Sequence, residues 1–384
     1  MVRATGLAGS GVAVGPDCVF DAVGEAVSAL GGRSASVVLV FPPASLEAPA
    51  AVDQAAAAAD GAPVAGMTSD GVIAASGPPR EGCSALALDD SVDVGIGVAA
   101  RASGDARRAG RDAAAAALGG LSGSSGHMLL LLFLDPDSGD HAEILWGVYE
   151  RAGGHVPLVG GGANGRYPAQ FALGASGRDS VVAVALRSPA PIGVGVADGC
   201  FPLAAPSIVT RAAGMTIQSL DGRPAENVYL EKLGRSRVEL ADAEFEALCV
   251  PHPLGQPALS GHVRLRHVRS RAAGGGLTCA ARIPPDSVVT FMQQTPDTIR
   301  QSATQAVRDA LEPLGGAPRA ALVFDCAGRK RALGPRVGPE VEAVLSGFGR
   351  PAPPLAGLWT RGEVGRVRGP EGDRNHAIVV VALG

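Results

Sequence analysis

Long apolar runs are missing from this sequence: the longest covers residues 128–134, well short of the roughly 20 residues that a membrane-crossing helix needs. The first 26 residues hold one arginine but no uninterrupted apolar core followed by a small-residue cleavage site, so no secretory signal is expected. Cysteine is dilute. Its six positions, Cys18, Cys83, Cys200, Cys249, Cys279 and Cys326, show no paired spacing, which excludes a disulfide scaffold and points to a reducing cytoplasm. A dominant charge is also lacking. The formal net charge of −4 gives no global pull toward nucleic acid or an anionic membrane. Lysine is confined to Lys232 and Lys330, so nearly all cationic groups are arginine, a bias of coding more than of function.

What is present is a chain of 384 residues with 46% hydrophobic and 18% charged positions, enough to bury a sizeable interior and long enough for two domains. Residues 21–30 read as helix and 36–41 as a buried strand, followed by an alanine-rich helix over 50–59 and a strand entering the glycine turn Gly66-Met-Thr-Ser-Asp-Gly71. The order returns twice. Helix 109–121, strand 127–134, helix 140–152 and strand 156–162 form one return; helix 298–311, strand 320–325, helix 339–347 and strand 354–360 form the other. Phe41, Phe133 and Phe324 precede Gly66, Gly160 and Gly357 by 25, 27 and 33 residues. This predicts three βαβ-like units. Strand-rich stretches between them, joined by short turns, predict antiparallel pairing, so the expected class is α/β (α+β) with mixed sheets flanked by helices. Asp221-Gly222-Arg223-Pro224 is the best boundary, giving domains 1–222 and 223–384, with a helix over 225–232. Residues 266–276 and 365–373 read as exposed loops.

Glycine turns after buried strands let backbone N–H groups approach a ligand. The three candidates match neither a phosphate loop nor a dinucleotide fingerprint, and tight packing is the competing reading. Cys326, in Phe324-Asp-Cys-Ala-Gly-Arg329, is a candidate reactive thiol with Arg329 nearby and His376 available as a base, set against a buried packing role. Cys249, His252, His262 and His267 depart from zinc-ligand spacing, so no metal site is expected. Asp325, Glu340, Glu342 and Glu363 are expected to pair with Arg329 and Arg361.

In this order the motifs resemble the FIST family, with its FIST N and FIST C domains. The likeness runs through residues 37–41, Gly66-Met-Thr-Ser-Asp-Gly71, Val156-Pro-Leu-Val-Gly160-Gly-Gly, 181–186, 209–225, 321–329, Glu340, Leu355-Ala-Gly357-Leu-Trp-Thr-Arg-Gly-Glu363 and Asn375. The pattern departs at Met67-Thr68-Ser69, where a small residue and Thr are usual, and at Arg374-Asn375-His376, where His usually precedes Asn. The resemblance implies a sensory module for a small, amino-acid-like ligand in intracellular signal transduction. Some bacterial relatives bind haem and sense nitric oxide, and a eukaryotic relative carries an F-box. No F-box, kinase or cyclase segment is expected in the chain, so output is expected through a separate signalling protein, or the protein acts alone. The expected ligand contacts are Gly66, Thr68, Ser69, Gly160, Gly161, Asn164, Arg329, Glu363 and Asn375, with no catalytic centre. A haem sensor, an interaction scaffold and a cysteine-dependent enzyme are the alternatives.

Overall fold

A computed structural model describes residues 7–75, 81–123, 125–235, 240–258, 263–367 and 371–384. The three predicted units are present, and each builds one sheet. In the first, Ala35–Phe41 and Val64–Met67 lie parallel, joined by helix Ala48–Ala58. In the second, His127–Leu134 and Leu158–Gly162 are parallel around helix His141–Ala152. In the third, Ala320–Cys326 and Leu355–Thr360 are parallel around helix Gly338–Phe348. Each pair is extended by antiparallel strands, as the short turns predict. Cys83–Asp89 and Ala8–Ala13 extend the first, Ser180–Ser188 and Asp93–Ala100 the second, Ile378–Leu383 and Ile192–Ala197 the third.

The sheets exchange strands in a closed cycle. Val72–Ala74 of the first unit joins the third sheet, Gln170–Ala172 of the second joins the first, and Glu363–Arg366 of the third joins the second. Their inner faces share one apolar core, while the helices cover the outer faces through three separate clusters. The body is a triangular prism with pseudo-threefold order. Strands therefore pair across residue 222, and the two sequence segments contribute to common sheets.

The repeat seen in the sequence has a steric origin. Val40, Leu132 and Val323, each one residue before the phenylalanine, are the register partners of Gly66, Gly160 and Gly357. A Cβ on Gly66 would stand 1.8 Å from Val40 O, and one on Gly160 would stand 2.0 Å from Leu132 O. Such contacts forbid any side chain. The phenylalanines meet inside: Phe41 packs edge-on against Phe133 at 5.9 Å and against Phe324 at 6.1 Å, a favoured aromatic geometry.

Residues 201–293, inserted in the third unit, form a separate mixed-register antiparallel sheet. Its long central strand Phe201–Ala213 pairs with Val288–Gln293 and Thr216–Leu220. Helices Ala225–Lys232 and Asp242–Cys249 pack on one face around Tyr229, Phe245 and Phe291. The two segments expected to be loops are strand in part: Arg266, which ends strand Val263–Arg266, and Val268–Ala272 in the first, and Gly365 and Arg366, which end strand Glu363–Arg366, in the second. Arg266 misleads because its charge is paired inside, 1% exposed and 2.9 Å from Asp373, and Arg366 because it is buried on the carbonyls of Gly153 and Val156. Part of the second segment, residues 368–370, lies outside the described residues.

Gly66→Ala and Gly160→Ala are each expected to cost about 3 kcal/mol. Gly357→Ala should cost less, since its nearest contact is the Val323 side chain at 2.9 Å. Urea unfolding of the three variants checks that order; equal stabilities would contradict it.

Candidate functional site

The residues singled out in the sequence fall into three places. Gly66, Thr68, Ser69, Gly160, Gly161 and Asn164 lie in the joins between sheets, buried by the strand exchange. Thr68 accepts a hydrogen bond from Asn164 N–H at its carbonyl (2.9 Å) and from Ala169 N–H at its hydroxyl (3.0 Å). The Ser69 hydroxyl lies 2.7 Å from Gly71 O and 3.0 Å from Trp359 O, and accepts from Trp359 N–H at 3.2 Å. Gly161 is the register partner of Glu363, and a Cβ there would meet Thr360 at 2.9 Å. Asn164 keeps one buried group, Nδ2, without a partner among the described residues.

The second place is a buried ionic cluster at the end of the third sheet. Arg329, fully buried, bonds Glu340 through Nε and Nη2 (3.0 and 2.5 Å) and lies 3.0 Å from Asp325. Its remaining donors reach Ser302 Oγ (2.9 Å), Asp198 O (2.8 Å) and Ile299 O (3.0 Å). Burial works against the Arg329 charge, but Glu340 and Asp325 outweigh it and its pKa rises. Two carboxyls share one guanidinium, so burial and then the Glu340 charge push Asp325 well above the carboxylate range. The expected cluster is met in part: Arg361 pairs instead with Asp137 (3.3 Å), and Glu342 with Arg350.

Glu363 stands beside this cluster, accepting from Thr360 Oγ1 (3.0 Å) and Ala377 N–H (3.2 Å). Burial lifts its pKa to about 8. The Cys326 thiol is its neighbour, 7% exposed, and accepts from Gly328 N–H at 3.3 Å. Burial, then the Glu363 charge, raises that thiol far above its ordinary pKa, which keeps it protonated at neutral pH. His376 is engaged at both ring nitrogens, by Gln294 Oε1 (3.0 Å) and His267 Nδ1 (3.0 Å), leaving neither to take a proton from Cys326. His376 holds φ +56°, a strained conformation for a non-glycine residue, fixed by these bonds. Of the histidines weighed as zinc ligands, His262 lies outside the described residues, and His252 bonds Leu248 O at 2.7 Å. Among the described residues no group of three or more His, Cys, Asp or Glu side chains could hold a metal.

The third place is a cleft of about 1620 Å³ between the prism and the inserted sheet, and Asn375 is the one predicted contact that lines it. Ile192, Val194 and Val196 form one wall; Val263, Leu265 and Met292 of the inserted sheet form the other. Asp198, Cys200 and Arg374 cluster with Asn375 toward one end. Arg374 donates to Gly365 O (3.1 Å); burial lowers its pKa, countered by the Asp198 charge. The ionic cluster props this wall from behind. Arg329 and Gln294 (2.6 Å) both donate to Asp198 O, and His267 N–H donates to Asn375 Oδ1 at 3.1 Å. Sequence reading missed Asp198, Arg374 and the apolar walls. Their signal was the pattern Ile192-Gly-Val-Gly-Val196 between prolines and the next glycine, which marks a strand with one bare face.

A carboxyl with a raised folded pKa stabilises the protein below its unfolded pKa of about 4.5, and that stability is lost as pH climbs to about 8. Glu363→Gln should therefore flatten the fall in thermal midpoint between pH 5 and 8 relative to the unaltered protein. Parallel curves would show that Glu363 is ionised throughout.

The FIST N domain model matches residues 36–223 and the FIST C domain model residues 225–366. An uncharacterized protein of Mycobacterium tuberculosis, found in strains CDC 1551 and H37Rv, is 27% identical over 198 residues, 48% of this chain and 49% of that protein. The chain thus spans about half the length of these curated relatives. Among solved structures, a cyanuric acid hydrolase from A. caulinodans aligns over 98% of this chain and 99% of its own at 11% identity, with a TM-score of 0.33, too low to carry an argument. The two domain models together cover most of the molecule, and the chain belongs to the FIST family, whose domains are associated with sensing in signal transduction.

Proposed function

We propose that the protein is a sensory binding module that takes its ligand in the cleft between prism and inserted sheet and signals through a separate protein. The observation that carries this reading is the cleft itself, about 1620 Å³, with apolar residues on both walls and Asp198, Arg374 and Asn375 among its polar lining, a mixture that suits a ligand site. An amino-acid-like group would find Arg374 for its carboxylate and Asp198 for its ammonium. The engaged His376 and the protonated Cys326 thiol favour binding over catalysis. All six cysteines are unpaired, which supports a reducing compartment, the cytoplasm. No described helix is long and apolar enough to cross a membrane.

Haem is the second reading, because His127, Met128 and His155 line the same cleft and supply residue types that ligate haem iron. Haem bound there would supply a gas-binding iron, and the apolar walls would bury its macrocycle. A Soret band on adding haem, lost in the double variant His127→Ala/His155→Ala, supports it; no band removes it.

The main reading predicts an additional mass on the protein purified from its own host, seen by native mass spectrometry. Val263→Trp, at an exposed position on the cleft wall, should displace that mass without lowering the thermal midpoint. A mass retained in the variant would place the ligand elsewhere.

A further inference from the structure

We propose that the cleft accepts an extended, basic peptide segment, which adds as a strand to the free edge of Ile192–Ala197. This rests on the cleft being the ligand site and names the class of ligand.

Ile192–Ala197 is one edge of the third sheet and, among the described residues, pairs only with Ile378–Leu383. Gly384 N–H donates to Pro191 O at 2.9 Å, which fixes the phase of the ladder. In an antiparallel pair the bonded residues alternate, so Gly193, Gly195 and Ala197 face the neighbouring strand. The N–H and C=O groups of Ile192, Val194 and Val196 point off the edge, and among the described residues none has a hydrogen-bond partner. Those three residues also line the cleft. On the opposite face Gly193 and Gly195 lie against helix Pro296–Leu311, where a Cβ would stand 1.8 Å from Ala310 O or Ala306 O. The strand is thus held in place with its edge open.

Natural edges are normally blunted by charge, proline or a bulge. This one has none of them within its six residues. The longer edge strands Ala8–Ala13 and Asp93–Ala100 of the other two sheets do not line the cleft, and Val12 N–H of the first is met by a Glu25 carboxylate oxygen at 3.1 Å. Six residues span about 20 Å of strand. The cleft also exceeds the roughly 300–1,000 Å³ of small-molecule pockets, so a single amino acid leaves most of it unfilled. Strand addition suits such a site, with main-chain bonds giving affinity and alternate side chains giving selectivity.

Charge selects the partner. Asp309 and Glu312 line the cleft on its helical side, whereas Asp198 and Glu371 lie beside Arg374 and Glu371 also pairs with Arg264 at 3.9 Å. That balance repels acidic chains and favours lysine or arginine side chains alternating with apolar ones. The apolar residues would meet Val263, Leu265 and Met292.

The probe is an acetylated, amidated six-residue peptide of alternating lysine and valine, fluorescently labelled and titrated into the full chain by anisotropy. It should bind, whereas a glutamate–valine peptide and a version N-methylated at alternate positions should not. Val194→Pro removes one outward N–H without touching the ladder and should weaken binding about 10-fold or more. The double variant Asp309→Lys/Glu312→Lys, at the rim, keeps the test open if the proline variant does not fold, and should weaken the basic peptide alone. Equal binding of the N-methylated or acidic peptide would overturn the inference. So would failure of the basic peptide while a free amino acid or the host-derived mass occupies the cleft, an outcome that leaves the sensory reading standing. If neither peptide nor small molecule occupies the cleft, both fall.

Discussion

Close backbone approach at Gly66 and Gly160 is the constraint on which the rest of the molecule depends. Where Gly66 and Gly160 cross the carbonyls of Val40 and Leu132, there is no room for a Cβ, and the parallel strands can draw together only because none is present. That approach sets the neighbouring Phe41, Phe133 and Phe324 to pack edge-on in the interior. It also aims the chain after each turn toward the next sheet, so each unit hands a strand to its neighbour. No sheet is complete without another unit's strand.

The proposed ligand site lies where the threefold order is broken. Only the third unit carries an insertion, and the cleft opens where the inserted sheet stands off the edge strand Ile192–Ala197. Behind that strand's end lies a costly arrangement, a buried arginine shared between two carboxyls and tied to Asp198 O on the cleft wall. Buried ion pairs contribute little net stability but suffer greatly when one partner is lost. Here the pairing fixes the polar end of the cleft through Asp198, His376 and His267. The same burial that keeps Glu363 and Cys326 protonated makes this cluster a rigid support.

Much of the architecture was legible. Continuous apolar strands such as 127–134 declare burial on both faces, and the recurrence of Phe and Gly at similar spacing is the imprint of the threefold repeat. The exchange of strands was not legible, because a three-residue strand such as Val72–Ala74 carries no information about which edge it joins. Glycine signalled the wrong thing at the candidate site. Gly66 and Gly160 are demanded by packing, and the turns that follow them are filled by Thr68 and Ser69 bonding to neighbouring backbone. The cleft depends instead on ordinary valines and a strand edge, whose open hydrogen bonds are a property of topology. Arg266 and Arg366 read as solvated loop charges, yet both are 1% exposed, because their partners arrive from distant parts of the chain.

The most direct test of the account is hydrogen–deuterium exchange on the protein as purified from its host, compared with protein stripped of small molecules and peptides. Slower exchange at Ile192, Val194 and Val196, together with the facing segment 263–266, is the predicted result. Protection confined to the glycine turns 66–71, 160–165 and 357–363 would contradict it and move the site to the joins between the sheets.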